Sequence, residues 1–179
     1  EEMFSPIITS TKRRALWLGI NLLTAFLGAW VIGRFEDTIQ QLVALAILMP
    51  VVAGMGGIAG SQTLTIAIRG IALGHIAKTN IKPLLIKELS IGILNGIFWS
   101  SVVAIIVIIW FGQFSLGIII GASMMINLII AALAGATIPI ILKHYGIDPA
   151  IAGGVILTTV TDVVGFITFL GLATIFLIG

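Results

Sequence analysis

The sequence predicts an all-α integral membrane protein with five transmembrane helices, and three observations carry that prediction. Of its 179 residues, 59% are hydrophobic and only 9% are charged, with a mean hydropathy of +1.25. Soluble domains carry roughly 25% charged residues, so the composition argues against a water-soluble globule. The apolar residues also gather into runs longer than about 18 residues, enough to cross a bilayer as helices. Nor do they alternate in segments of about 10 residues, which is how barrel strands read.

The first run covers about 15–33 and follows Lys12, Arg13 and Arg14. The second, about 39–74, is roughly 35 residues long, whereas a hydrocarbon core of about 30 Å takes about 20 helical residues. It has to tilt, protrude or break, and Pro50 with the stretch "GMGGIAG" supplies the expected break points. The third run covers about 84–111, the fourth about 116–142 and the fifth about 150–178. The whole of 1–179 reads as a single transmembrane domain. Its opening, "EEMFSPIITSTKRR", has neither an initiator Met nor a signal-peptide pattern, so a piece cut from a longer chain is expected.

Orientation follows from the basic residues. Lys12, Arg13 and Arg14 precede the first span, Arg69, Lys78, Lys82 and Lys87 flank the second-to-third connection, and Lys143 precedes the fifth span. On the other side lies only Arg34, beside Glu36 and Asp37. The positive-inside rule then predicts a cytoplasmic N-terminus and an outside C-terminus. With a net charge of only +2, these clusters read as topology signals and not as a nucleic-acid footprint. The chain has no cysteine, which excludes disulfides and thiolate metal sites.

One charge breaks the pattern. In "GGVILTTVTDVVGFITFLGLATIFLIG", Asp162 lies roughly 18 Å along the helix from Ala150, near the bilayer midplane. A carboxylate in lipid costs at least about 2.5 kcal/mol, and no Lys or Arg lies deep in a span to neutralise it. Two readings compete: a protonated Asp that hydrogen-bonds between helices for packing, or a carboxylate facing a water-filled path for cations. Thr158, Thr159 and Gly165 stand at offsets of minus four, minus three and plus three from Asp162, so all four are expected on one face. Such a stripe offers hydroxyls, reachable carbonyls and room for hydrated ions. Each piece alone has a plainer use, since membrane Thr back-bonds to its own helix and Gly permits close packing.

The second run carries a comparable patch, "PVVAGMGGIAGSQTLTIAIRG". Gly56 and Gly60 form a small-xxx-small pair suited to helix contact, with Gly57 beside them, while the Gln62 amide needs partners or water at this depth. Motifs of enzymes are missing. His75 and His144 lie in connections without an H-E-x-x-H pattern, no G-x-S-x-G elbow occurs, and "GMGGIAG" lacks the Lys-Ser/Thr of a phosphate loop. The residues point away from an enzyme.

The pair "PVVAGMGGIAGSQTLTIAIRGIALG" and "DPAIAGGVILTTVTDVVGFITFLGLA" resembles the membrane domain of the MgtE family of bacterial magnesium channels, and the likeness covers nearly the whole chain. What the resemblance implies is a multi-pass protein of the bacterial inner membrane. It would be a homodimer whose central cation pore is lined by the second and fifth spans of both copies. By position, Asp162 matches the family's acid that recognises Mg2+, and Thr158 matches a position whose backbone helps hold the ion's water shell. Thr159 and Gly165 accompany them, and Gly56, Gly57, Gly60 and Gln62 match the second-span motif. Ile58 stands where many members carry Asn, and Gly153-Gly154 where some carry Asn-Pro. Complete members also have cytoplasmic regulatory domains, a helical one and a nucleotide-binding-like pair, expected here outside this chain. No nucleic-acid partner is implied.

The chemistry suits the ion. Mg2+ gives up water reluctantly and is held through few carboxylates with several waters retained, so two Asp162 side chains across a dimer axis attract it without a dehydrating cage. Mn2+, Co2+ and Ca2+ remain further candidates for the same path. The competing class is an ion-coupled secondary transporter using Asp162 as its proton, sodium or substrate site, for which a broken second helix would be suitable. A third class is a purely structural membrane partner.

Overall fold

A computed structural model describes residues 3–178. Its elements are α1 (Ile7–Gly33), α2 (Glu36–Gln41), α3 (Ala44–Ala72), α4 (Ile81–Phe111), α5 (Phe114–His144) and α6 (Pro149–Ala173), which continues into a π-helical turn at Thr174–Ile178. Among the described residues all regular structure is helical. Five helices, α1, α3, α4, α5 and α6 with its extension, are long and apolar enough to cross a membrane, at 27 to 31 residues each. That exceeds the roughly 20 residues an upright span requires, so the surplus projects from the hydrocarbon or is taken up by tilt.

The helix ends follow from local chemistry. α3, α4 and α5 run out at Gly74, Gly112 and Gly146, whose φ values of 70°, 68° and 72° lie in the left-handed region open to glycine. α6 starts at Asp148, whose side chain accepts the Ala150 N–H at 3.0 Å, with Pro149 in the first turn. α1 begins eight residues before the expected first span, so Lys12, Arg13 and Arg14 ride on its opening turns. At its far end the Arg34 guanidinium lies 5.7 Å from the centre of the Trp30 ring.

The long second run is divided, but not where Pro50 and the glycines suggest. α3 is helical through both, and the break falls at Leu42, which takes φ −139° and ψ 88°. The reason lies in the position of Pro50. It is the seventh residue of α3, so the carbonyl it leaves without a donor is that of Ala46 in the first turn. Residues 39–41 belong instead to α2, which is tied down by a 2.7 Å hydrogen bond between the Thr38 and Thr174 hydroxyls.

α5 is the central post. It is the most buried of the five long helices and α1 the least, and it packs on α3, α4 and α6. Lipid tails are as apolar as leucine, so helices there associate through close packing of small residues. A Cβ on Gly92 of α4 would stand 2.9 Å from the Ala132 Cβ of α5, and one on Gly96 would stand 2.6 Å from the Met125 Sδ. On the opposite flank, Gly135 of α5 sits against the backbone of α3 at Gly60. Toward the Val107 end of α4, Leu45, Leu48 and Val52 of α3 meet Leu116 and Ile120 of α5 and Phe169 and Leu170 of α6 in one buried cluster.

Gly135 offers a direct test of this packing. An added Cβ would lie 2.6 Å from the Gly60 carbonyl oxygen, a backbone atom with no rotamer to yield. Gly135→Ala should therefore cost about 1–3 kcal/mol. Thermal unfolding in detergent should drop by several degrees, whereas Gly154→Ala, with nothing within 4 Å, should not move it. Equal midpoints for the two variants would contradict the packing described.

Candidate functional site

Asp162 is the fourteenth residue of α6, roughly 20 Å along the helix from Pro149. It is half-buried. Its carboxylate makes no hydrogen bond or ion pair with any described residue. Among the described residues no three His, Cys, Asp or Glu side chains converge on one point. Among the described residues, then, the acid stands alone.

The face expected around it divides in two. Thr158 is exposed and Thr159 half-buried, and both stay with Asp162 toward the open side of α6. The Thr159 hydroxyl donates to the Val155 carbonyl at 2.8 Å, which leaves its oxygen free to accept. Gly165 instead joins Leu157, Thr161 and Phe169 on the buried stripe. A Cβ there would meet the Asn127 Nδ2 at 3.0 Å and Val52 at 3.4 Å. Around the helix Gly165 lies within about 20° of Thr158, so what separates them is position along α6: the Gly165 turn is the one that meets Asn127 and Val52.

The second-span residues separate in the same way. Gly56 and Gly60 are buried. A Cβ on Gly56 would stand 2.8 Å from the Asn127 Cγ, and one on Gly60 2.8 Å from Leu157. These two glycines let α3 close onto α5 and α6. Gly57 is half-buried and faces Thr161 of α6, whose hydroxyl would be 4.0 Å from an added Cβ. Gln62 is exposed and lines an open groove of about 570 Å3 between α3 and α4, with Ile58, Asn95 and Trp99. The structure thus brings Gly57 near the Asp162 helix and turns Gln62 toward α4.

Two polar groups were missed by sequence reasoning. Asn127 of α5 is fully buried between α3 and α6, and its Nδ2 donates to the Val52 carbonyl at 3.0 Å. Glu88 of α4, only 4% exposed, accepts a hydrogen bond from the Thr63 hydroxyl of α3 at 3.1 Å. The signal for Asn127 was available: a lone amide inside the otherwise apolar "MMINLII" is as conspicuous as Asp162. Glu88 lies next to Lys87 near the start of the third run, so its charge alone does not distinguish it from a residue of the connection.

Comparison with other proteins places the site in context. A family model described as MgtE, a divalent cation transporter, matches residues 49–172, which include α3 from its sixth residue, all of α4 and α5, and nearly all of α6. The chain is 39% identical over 165 residues to the magnesium transporter MgtE of Bacillus subtilis (strain 168), covering 92% of this chain and 37% of that protein. It is 30% identical over 164 residues to the magnesium transporter MgtE of Thermus thermophilus, covering 92% of this chain and 36% of the relative. Over 177 residues it is 28% identical to the Enterococcus faecalis magnesium transporter MgtE, at 99% and 39% coverage. The chain therefore spans less than two fifths of each of these relatives.

Proposed function

The chain belongs to the MgtE family of divalent cation transporters, and from that premise we propose that it forms the pore of a magnesium channel, passing hydrated Mg2+ along Asp162. The observation that carries the reading is the unpartnered, half-buried Asp162 carboxylate in the middle of a membrane span. A charge so placed is tolerated only beside water or a counter-ion. One copy supplies one acid and one open face, so the path is completed by a second copy, and two Asp162 side chains meet the ion across a two-fold axis. Thr158, exposed one turn earlier, offers its backbone carbonyl to the ion's water, with Thr159 and Gly57 at the margin of the path. Gly56, Gly60 and Gly165 act from behind, by allowing the wall to close tightly. Gln62 stands to one side, at the α3–α4 groove.

Mg2+ holds its waters strongly, so recognition through water by two carboxylates attracts it while leaving it free to depart. Mn2+ and Co2+, close in size, would enter the same site, and Ca2+ less readily. The helix geometry favours a channel over a coupled carrier. Carriers commonly build their ion site from discontinuous helices, whereas α3 runs unbroken through Pro50 and the glycines. The clusters of basic residues support a cytoplasmic N-terminus and, with five spans, an outside C-terminus, in the inner membrane of a bacterium. Cytoplasmic regulatory domains of a longer protein are its proposed partners.

Dimerisation is testable because the chain has no cysteine of its own. Thr158→Cys places a thiol on the Asp162 face, and a short bifunctional reagent should join two chains there in membranes. Ile109→Cys, at a residue 78% exposed near the end of α4, should not cross-link. A monomer that conducts would contradict the shared pore.

Charge is tested in proteoliposomes. Asp162→Asn removes two charges per dimer and should weaken Mg2+ block of monovalent current at least about tenfold, while the protein still folds. Asp162→Glu should retain block with altered selectivity. Mg2+ uptake should be insensitive to an imposed proton gradient, and flux that follows the gradient would favour the coupled carrier. An Asn variant with unchanged Mg2+ block would overturn the role of Asp162.

A further inference from the structure

Asn127 stands on α5 directly behind the two helices that carry the proposed path. It is wholly buried, and its amide is wedged between Gly56 of α3 and Gly165 of α6. The Nδ2 donates to the Val52 carbonyl at 3.0 Å. That bond sets the amide's orientation, because the flipped form would place Oδ1 against a carbonyl oxygen. The Oδ1 left over is buried and has no hydrogen-bond partner in the structure. A buried acceptor without a donor is costly, and it draws in any hydroxyl within reach.

One hydroxyl lies on the neighbouring face of α6. Thr161, fully buried, is one turn before Gly165 on the same packed stripe and faces Gly57, next to the glycine against which Asn127 packs. Its Oγ1 donates to the Thr158 carbonyl at 3.1 Å. Within the helix that carbonyl also accepts the Asp162 N–H, so both of its lone pairs are engaged. Waters bound to a divalent cation are strong donors, and they compete with the Thr161 hydroxyl for this carbonyl.

We infer that Asn127 is a positioning residue for the ion path: its Oδ1 takes the Thr161 hydroxyl when a hydrated cation is present, and so releases the Thr158 carbonyl to accept the ion's water. The exchange would move the Thr161 hydroxyl from one acceptor to the other, with α3 and α6 held in place by the glycine contacts that also position Asn127. It spends an acceptor that is otherwise unpartnered. This inference rests on the reading of Asp162 and Thr158 as the residues that meet the ion.

The test is a double-mutant cycle read as the Mg2+ concentration that half-blocks monovalent current through the reconstituted chain. Asn127→Leu, similar in volume, should raise that concentration about fivefold, the worth of one hydrogen bond. Thr161→Val keeps the shape, removes the competing donor, and should lower it. In the Thr161→Val background, Asn127→Leu should have no further effect, and Thr161→Ser should behave as the parent. If Asn127→Leu costs the same factor with or without the Thr161 hydroxyl, its role is packing alone and the inference is overturned. Should Asn127→Leu not fold, Thr161→Val decides by itself: tighter block supports the inference, and unchanged or weaker block overturns it. Asp162→Asn run alongside separates the two readings. Block that survives it removes the ion site itself, whereas block lost there with independent effects at 127 and 161 removes only the role of Asn127.

Discussion

A carboxylate held in hydrocarbon without a partner is the constraint from which the rest of this structure takes its meaning. Among the described residues Asp162 has no cation, no hydroxyl and no amide to satisfy it. In water this would be unremarkable, but in a bilayer it is tolerable only if another molecule or an ion completes the site. Several other polar groups of the spans do find partners within the bundle, although the Asn127 Oδ1 and the Ser100 hydroxyl do not. The Thr159, Thr161 and Thr168 hydroxyls bond back to carbonyls of α6, and Glu88 of α4 is met by Thr63 of α3. The unpartnered acid is the group on which the proposed ion path rests.

The surrounding architecture holds that acid in place. α5 is the most buried helix, and its small residues let α3 and α4 approach it closely. Gly56, Gly60, Gly135 and Gly165 bring α3, α5 and α6 into direct contact, so the backbone beside Asp162 rests on a rigid wall. α1 lies at the periphery with little of its surface covered. Within the chain Gly56, Gly60 and Gly165 pack closely against neighbouring helices, and the tightness they permit is visible in the contacts an added Cβ would make.

Much of this was legible in the residues. Five apolar runs and the isolated acid can both be read without coordinates, because length and a lone charge are local signals. Facing was not legible. These helices are apolar nearly all round, so little amphipathic stripe tells which side packs, and Gly165 turned inward although its spacing suggested a shared face with Asp162. The short helix split off at Leu42 from the long second run is held by a contact between Thr38 and Thr174, residues 136 positions apart. Asn127 and Glu88 carried a signal of their own, polarity at depth. Their partners on other helices could be found only once the bundle was assembled.

The central claim is that two copies of Asp162 face one another across a water-filled path and meet a hydrated divalent cation there. Locating Mn2+ by anomalous scattering, in crystals of the protein grown from lipid, tests it most directly. The account predicts one peak on a two-fold axis, about 4 Å from each Asp162 carboxylate with water between. Asp162 side chains directed into lipid, or a peak remote from them, would contradict it.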